Sequence, residues 1–337
     1  MHLVVSQQLG KYTTLRFLGS GAFGSVYLLH DNLMNRDVAV KFVENQNPAA
    51  FVAHYEGQIL HQCRHDRIVA VNSVDVVQDL ASGRQYAAID MEFAANGSVQ
   101  RLIDTEHVSI RKAIKLTIDL LFALGHAHRQ GVLHRDVKPA NILLAGTRGK
   151  LSDFGLATTA SASLTASGAG SPVYCAPEVI NDNRTNAQTD VFAAGMTLFQ
   201  AANNISNLGA QIPSIDIIKL GQVISKIGYK PYVPRRLRAI CNRACAVDPT
   251  RRYSSADQMR QALERLHVAQ DWNMAAAGTW QARVGDQTHE MTIETSSKIE
   301  VVYKINGRRR NANCKICRTN DLAELAQSEW VYANSFR

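Results

Sequence analysis

The chain has 337 residues, 46% hydrophobic and 20% charged, which excludes a disordered, collagen-like or low-complexity polymer. Its 37 Lys and Arg against 29 Asp and Glu leave a formal charge of +8. That suits an anionic partner such as a nucleotide, but says nothing about fold. The length fits two domains, or one two-lobed domain with an appendage. No run of ~18 apolar residues occurs, and Met1–Ser6 lacks a basic flank before an apolar core, so neither a membrane span nor a secretion signal is expected. The 6 Cys are scattered, which points to a reducing cytoplasm and not to a disulfide framework.

In chain order, Tyr12–Leu18, Ser25–Leu29 and the Val-rich Arg36–Val43 read as strands, with Gly19, Gly21 and Gly24 between the first two. Phe51, Val52, Tyr55, Ile59 and Leu60 recur three or four apart and predict a helix over Ala49–Cys63. Val69–Val77 and Gln85–Phe93 read as a strand pair around Ser82-Gly83. After Asn96-Gly97 the spacing becomes helical. Ser109–Arg129, Asp190–Ala202, Ile215–Ile227, Arg235–Ala246 and Ser254–His267 are the predicted helices, and Ile142–Leu144 a short strand. The pattern breaks at Asn273–Gly278, read as a linker. Trp280–Val284, His289–Glu294 and Ile299–Ile305 then alternate as strands, with turns at Asp286 and Asn306-Gly307 and a short helix at Asp321–Gln327. No internal repeat is found, and the small-residue stretch Ala157–Ser171 reads as an exposed loop.

Three motifs bear chemistry. In Gly19-Ser20-Gly21-Ala22-Phe23-Gly24 the glycines allow positive φ and close approach to a ligand. The motif lies between two predicted strands, where a dinucleotide fold would need a helix, so it reads as a hairpin lid over phosphates or as a plain turn. Lys41 ends the strand Val38-Ala39-Val40, and Glu56 lies mid-helix. Taken singly they fit a snorkelling Lys and a solvated helix charge; together they could form a pair aimed at phosphates. Then His134-Arg135-Asp136-Val137-Lys138-Pro139-Ala140-Asn141 packs polar residues between apolar runs, followed by Asp153-Phe154-Gly155 and Ala176-Pro177-Glu178.

In this order the motifs resemble the eukaryotic-like (Hanks-type) Ser/Thr protein kinase family over residues 10–268. The resemblance implies an α+β, two-lobed fold. A β-rich N-lobe would span about 10–94 and a helical C-lobe about 95–268; outside the resemblance, the alternating runs of 279–337 read as a separate small C-terminal β-rich α+β module that matches no recognised accessory domain. The resemblance also implies ATP under the loop Leu18, Gly19, Ser20, Gly21, Ala22, Phe23 and Gly24, with Lys41 on the α- and β-phosphates and Glu56 as its partner. Val26, Ala39 and Leu143 would sandwich adenine, Met91 would close the back, and Glu92 and Ala94 would offer hinge backbone bonds. Asp136 would orient the substrate hydroxyl and accept its proton, and Lys138 would neutralise the transferred phosphate. Asn141 and Asp153 would bind Mg²⁺, with Mn²⁺ as a substitute. Leu60, His134 and Phe154 resemble the hydrophobic column aligning the lobes, Asp190 the tether of the catalytic loop, and Arg252 the partner of Glu178. Phosphoryl transfer through a loose transition state needs this kind of positioning and neutralisation. The implied activity is transfer of the ATP γ-phosphate to protein hydroxyls, including the protein's own; the alternative is a pseudokinase-like scaffold acting through its C-terminal module.

Arg135 beside Asp136 resembles kinases activated by loop phosphorylation. Thr158, Thr159, Ser161, Ser163, Thr165 and Ser167 are candidates, with His54 as an additional contact, although the loop has no Lys or Arg of its own. Ser171 reads instead as a bridge between Asp136 and Lys138. Asn203–Asn207 stands where the family carries a Pro-Phe signature, so substrate recognition is not inherited from the resemblance. In the tail, Cys314-Lys315-Ile316-Cys317 is half of a zinc site by spacing, without a second pair, and buried thiols are the simpler reading of it and of Cys241 and Cys245. Arg308-Arg309-Arg310 reads as a solvated hairpin tip, or as a contact for nucleic acid or an acidic protein. Protein substrates and a tail-binding partner are the expected partners; neither nucleic acid nor a membrane is.

Overall fold

The computed structural model describes residues 3–21, 24–44, 47, 63–79, 82–153 and 172–335. Ala22, Phe23, His54, Glu56, Leu60, Phe154 and the loop hydroxyls up to Ser171 lie outside them. Near the N-terminus the apolar runs form one antiparallel sheet of β1 (Gln8–Leu9), β2 (Tyr12–Gly21), β3 (Gly24–Asp31), β4 (Arg36–Glu44), β5 (Val71–Gln78) and β6 (Gln85–Glu92), in the order β1-β2-β3-β4-β6-β5. β4 is buried on both faces, which explains why it reads as a continuous apolar run. Val38, Val40 and Phe42 pack outward with Tyr27, Leu29 and Leu3, while Ala39, Lys41 and Val43 face the other way. Gly24 is forced by space: a Cβ there would sit 1.9 Å from the Phe42 carbonyl oxygen, at φ +131°.

The second lobe is helical: α1 (Val99–Thr105), α2 (Ile110–Arg129), α3 (Pro177–Asp182), α4 (Ala187–Asn203), α5 (Ile215–Lys219), α6 (Val223–Ile227), α7 (Arg235–Ala244) and α8 (Ala256–Glu264), with the hairpin β7 (Ile142–Ala145) and β8 (Arg148–Leu151). α2 turns Leu116, Leu120, Leu121 and Leu124 into the core. From Thr189 to Asn203, α4 is buried on every side, and Gly195 lies so close to Ala244 and Cys245 that a Cβ has no room. The helix predicted over Ile215–Ile227 is two helices, because Gly221 takes φ +65° and breaks the run.

The predicted linker at Asn273 is also corrected. Asn273–Ala276 is strand β9, turned by Gly278 at φ +70° onto β10 (Thr279–Val284). β10, β11 (Gln287–Thr295) and β12 (Ile299–Ile305) continue the meander, and β13 (Arg308–Arg309) and β14 (Lys315–Cys317) share the far edge of β12. The final helix α9 (Asn320–Ser335) contains the predicted Asp321–Gln327 helix and runs about two turns beyond it. Trp280, Met291 and Tyr303 lie opposite one another on one face of this sheet. Trp280 leaves the module, its ring 4.9 Å from His107 and 5.1 Å from Tyr232 of the helical lobe. Asp271 accepts from Ser109 Oγ (2.9 Å) and the Arg111 amide (3.1 Å), closing the N-terminus of α2. Among the described residues no helix is long and apolar enough to cross a membrane.

Candidate active site

The cleft between the lobes collects Lys41, Asp136, Lys138, Asn141 and Asp153, the described polar residues singled out in the sequence. The β3–β4–β6 register sets Val26 opposite Lys41 and Lys41 opposite Ile89, and it sets Ala39 opposite Met91. The ammonium of Lys41 is thereby buried under the sheet, a costly position unless a counter-charge answers it. Asp153 does so: its Oδ1 lies 3.1 Å from Lys41 Nζ. Asp153 follows β8 with φ +63°, a left-handed conformation that non-glycine residues adopt at a cost of about 1 kcal/mol or more.

The loop between α2 and β7 is built by bonds to its own backbone. His134, fully buried, accepts the Asp136 amide at Nδ1 (3.2 Å) and donates from Nε2 to the Ser152 carbonyl (2.7 Å), which fixes the Nε2–H tautomer. The Ser152 amide donates to the Asn141 carbonyl (2.9 Å), tying the approach to Asp153 to the turn that holds Asn141. From α4, Asp190 reaches underneath: Oδ2 accepts the His134 amide (2.9 Å) and His128 Nε2 (2.8 Å), and Oδ1 the Arg135 amide (2.9 Å). Burial alone would raise the pKa of Asp190, but the bonds from His128 and His134 outweigh it and hold the carboxyl below its usual value. Arg135 itself sits at φ +67°, so the loop is held in a strained turn by that carboxylate.

Asp136 faces the cleft. Lys138 Nζ approaches both its oxygens, at 3.0 and 2.8 Å, and Asn141 Nδ2 donates to its carbonyl (2.8 Å) and to Oδ2 (2.9 Å). The amide nitrogen of Asn141 is thus committed to Asp136, leaving its oxygen as an acceptor. With the Asp153 carboxylate it makes a set of hard oxygen donors of the kind Mg²⁺ or Mn²⁺ takes. Among the described residues no cluster of three His, Cys, Asp or Glu could hold a metal. Cys241 and Cys245 are buried, whereas Cys314 and Cys317 are half-exposed, contrary to the reading of all four as buried thiols. Burial pushes the Cys241 thiol up to about 12.

Leu18, Val26 and Leu143 are half-buried, while Ala39 and Met91 are nearly closed off. Gly19, Ser20, Gly21 and Gly24 belong to the β2–β3 hairpin above them. Behind Met91 lies a cavity of about 330 Å³, bordered by Ile68, Val69, Leu151 and Asp153. At the crossing between lobes, the Ala94 carbonyl accepts the Gly97 amide (3.2 Å). Glu92 has a role that sequence reasoning missed: its Oε1 accepts the Ala70 amide (2.9 Å) and pairs with Lys150 on β8 (2.6 Å), clasping the two lobes. His128 and the pair Arg67–Asp119 were also missed, since nothing in their local sequence reveals partners this far along the chain. Arg252 meets Glu178 with two bonds, 2.6 and 2.8 Å, and lies on the Phe192 ring, a buried guanidinium with its donors answered.

Comparison with known proteins bears on this geometry. A family model described as protein kinase domain matches residues 12–265. Serine/threonine-protein kinase PrkC of Bacillus subtilis (strain 168) is 30% identical over 275 residues, covering 78% of this chain and 42% of PrkC. Serine/threonine-protein kinase PknB of Mycobacterium leprae (strain TN) is 29% identical over 278 residues, covering 77% of this chain and 43% of PknB. The chain therefore spans less than half the length of these relatives. Among solved structures, the PknI kinase domain of Mycobacterium tuberculosis superposes with a TM-score of 0.57 at 23% identity, over 78% of this chain and 99% of that domain.

Proposed function

This chain belongs to the protein kinase family, and we propose that it transfers the γ-phosphate of ATP to serine or threonine hydroxyls of proteins, its own included. The observation that carries the proposal is the group Asp136, Lys138 and Asn141 facing the Lys41–Asp153 pair across one cleft. Phosphoryl transfer asks a protein for alignment and positive charge more than for covalent chemistry. Asp136 Oδ2 is shared by Lys138 and Asn141, while Oδ1 meets Lys138 alone, so Oδ1 is the oxygen that receives the acceptor hydroxyl and, late in transfer, its proton. Lys138 and Lys41 bring positive charge to the phosphates, and the β2–β3 hairpin covers them. Asn141 and Asp153 would hold Mg²⁺, or Mn²⁺ in its place, which when bound supplies further neutralisation of phosphate charge. Lys138, two residues after Asp136, and the names of the curated relatives favour serine and threonine over tyrosine. Residues 10–268 form the catalytic part in this proposal, and 279–337 an accessory part that acts through a partner.

A pseudokinase-like scaffold, the alternative, would need a broken polar set; here the described members are all present and in contact. The deciding experiment incubates the purified full chain with radiolabelled ATP, Mg²⁺ and a mixed protein acceptor, beside Asp136→Ala and Asp153→Ala. Incorporation that is abolished in both variants and found on Ser and Thr is expected. Equal labelling of all three proteins, or phosphotyrosine alone, would overturn the proposal.

A further inference from the structure

The hairpin tip carrying three consecutive arginines has no place in catalysis. Arg309 is used internally: Nη2 bonds Glu300 Oε1 at 2.6 Å and Nε bonds Asn311 Oδ1 at 2.8 Å. Its neighbours Arg308 and Arg310 are exposed and have no ion pair among the described residues, and the same holds for Lys315 and Arg318. Of the acids nearby, Glu300 also meets Lys298 and Glu294 meets Lys304, while Asp321, three residues after Arg318 on α9, makes no ion pair among the described residues. The four cations around β14 therefore outnumber the one acid left beside them.

β14 is itself an edge. It pairs with β12 on one side, Ile316 opposite Glu300, and has no strand on the other side among the described residues. Such an edge presents main-chain donors and acceptors to any chain laid along it. Ile316 is 62% exposed at its centre, with Lys315 and Cys317 turned to the opposite face. Natural edges are blunted by charge or by cover; this one is short and charged, but its centre is a bare β-branched residue.

We infer that β14 receives an extended segment of a partner protein, added as the next strand, with an apolar residue beside Ile316 and Asp or Glu on either side. Charge complementarity supplies the acids, and the unpaired backbone selects a polypeptide over other polyanions. A nucleic acid would satisfy the cations but offers neither a strand for the edge nor a side chain for Ile316.

The test uses the full chain and a fluorescein-labelled short peptide alternating Glu and Val, read by anisotropy. The same peptide with Lys for Glu, a version N-methylated at alternate amides, and an oligothymidylate of equal charge serve as comparisons. We expect the acidic peptide to bind. The N-methylated peptide, and the variants Arg308→Glu/Arg310→Glu and Lys315→Glu/Arg318→Glu, should each weaken binding roughly tenfold or more. Circular dichroism and phosphate transfer to a generic acceptor should match wild type, since none of these residues touches the cleft. Failure of the acidic peptide to bind, or equal binding of the Lys peptide, would overturn the inference. So would an N-methylated peptide or oligothymidylate binding as tightly as the acidic peptide, because the edge would then be no more than a polyanion patch.

Discussion

Asp190→Asn gives the most direct test of how the catalytic loop is held. The carboxylate is buried and answers three donors, the His134 and Arg135 amides and His128 Nε2. Asparagine keeps one acceptor oxygen and turns an NH₂ toward the remaining N–H groups, so one side of the cradle becomes donor against donor. A bond to a charged acceptor contributes ~1.5–3 kcal/mol, and leaving a buried partner unanswered adds its desolvation. The expected loss is on the order of 3–5 kcal/mol, a large part of a total stability of about 5–15 kcal/mol. Urea denaturation followed by circular dichroism would read it as a lower midpoint. The same substitution frees Arg135 from φ +67°, which shifts Asp136, so turnover should fall on the order of 10²-fold. The pH dependence checks the cause. The folded-state pKa of Asp190 lies below its unfolded value, so its contribution is present above the ordinary carboxyl range. It is lost as pH falls through the folded pKa, below about pH 4. Asp190→Asn should remove that part of the acid slope. A variant with wild-type midpoint, turnover and acid slope would refute this account of the loop.

Lys41→Met keeps volume but removes the charge facing Asp153, and transfer should drop by about 10²–10³ while the melting curve stays near wild type; retained activity in a radiolabel assay would count against its place on the phosphates. Gly24→Ala puts a Cβ onto the Phe42 carbonyl and should cost about 1–3 kcal/mol, seen as an earlier thermal transition. An unshifted transition would mean that the hairpin is looser than described. Trp280→Ala empties the contact with His107 and Tyr232 and should cost about 3–5 kcal/mol by denaturant titration; an unchanged midpoint would show that the module is not docked there in solution.

What could be read from the chain depended on how local its cause was. β4 and α2 announce themselves because burial of one face, or of two, writes a period into neighbouring residues. The Asp136–Lys138–Asn141 group was legible because its members are close in sequence and a short turn brings them together. α1 was missed because its apolar stretch is only two turns long, capped by Ser98 with its apolar face on Val99, Leu102 and Ile103. Asn273–Ala276 reads as a linker because it carries little β-propensity; pairing with β10 and the contact of Asn273 with His107 hold it extended as β9 instead. The Glu92–Lys150 clasp was out of reach for another reason. Each residue has an ordinary sequence setting, and what makes them partners is that β6 and β8 come together across the cleft.

The placement of α2 shows how a scaffold with no chemistry of its own can decide where chemistry happens. Its N-terminus is closed by Asp271 from the segment leading into the C-terminal module, and its last turn presents His128 to Asp190. In its middle, Asp119 accepts the Gly149 amide and meets Arg67, which fixes β8 and thereby Ser152 and Asp153. One rigid helix thus sets the two strands of polar residues that must agree in position, the Asp136 loop and the Asp153 turn. Bonds of 2.7 to 2.9 Å from His134 and Ser152 close the remaining gap between them. Rotating either strand alone would break a buried hydrogen bond at a cost of about 1–3 kcal/mol, so the two move together or not at all, and the cleft side chains inherit the order of the helical core.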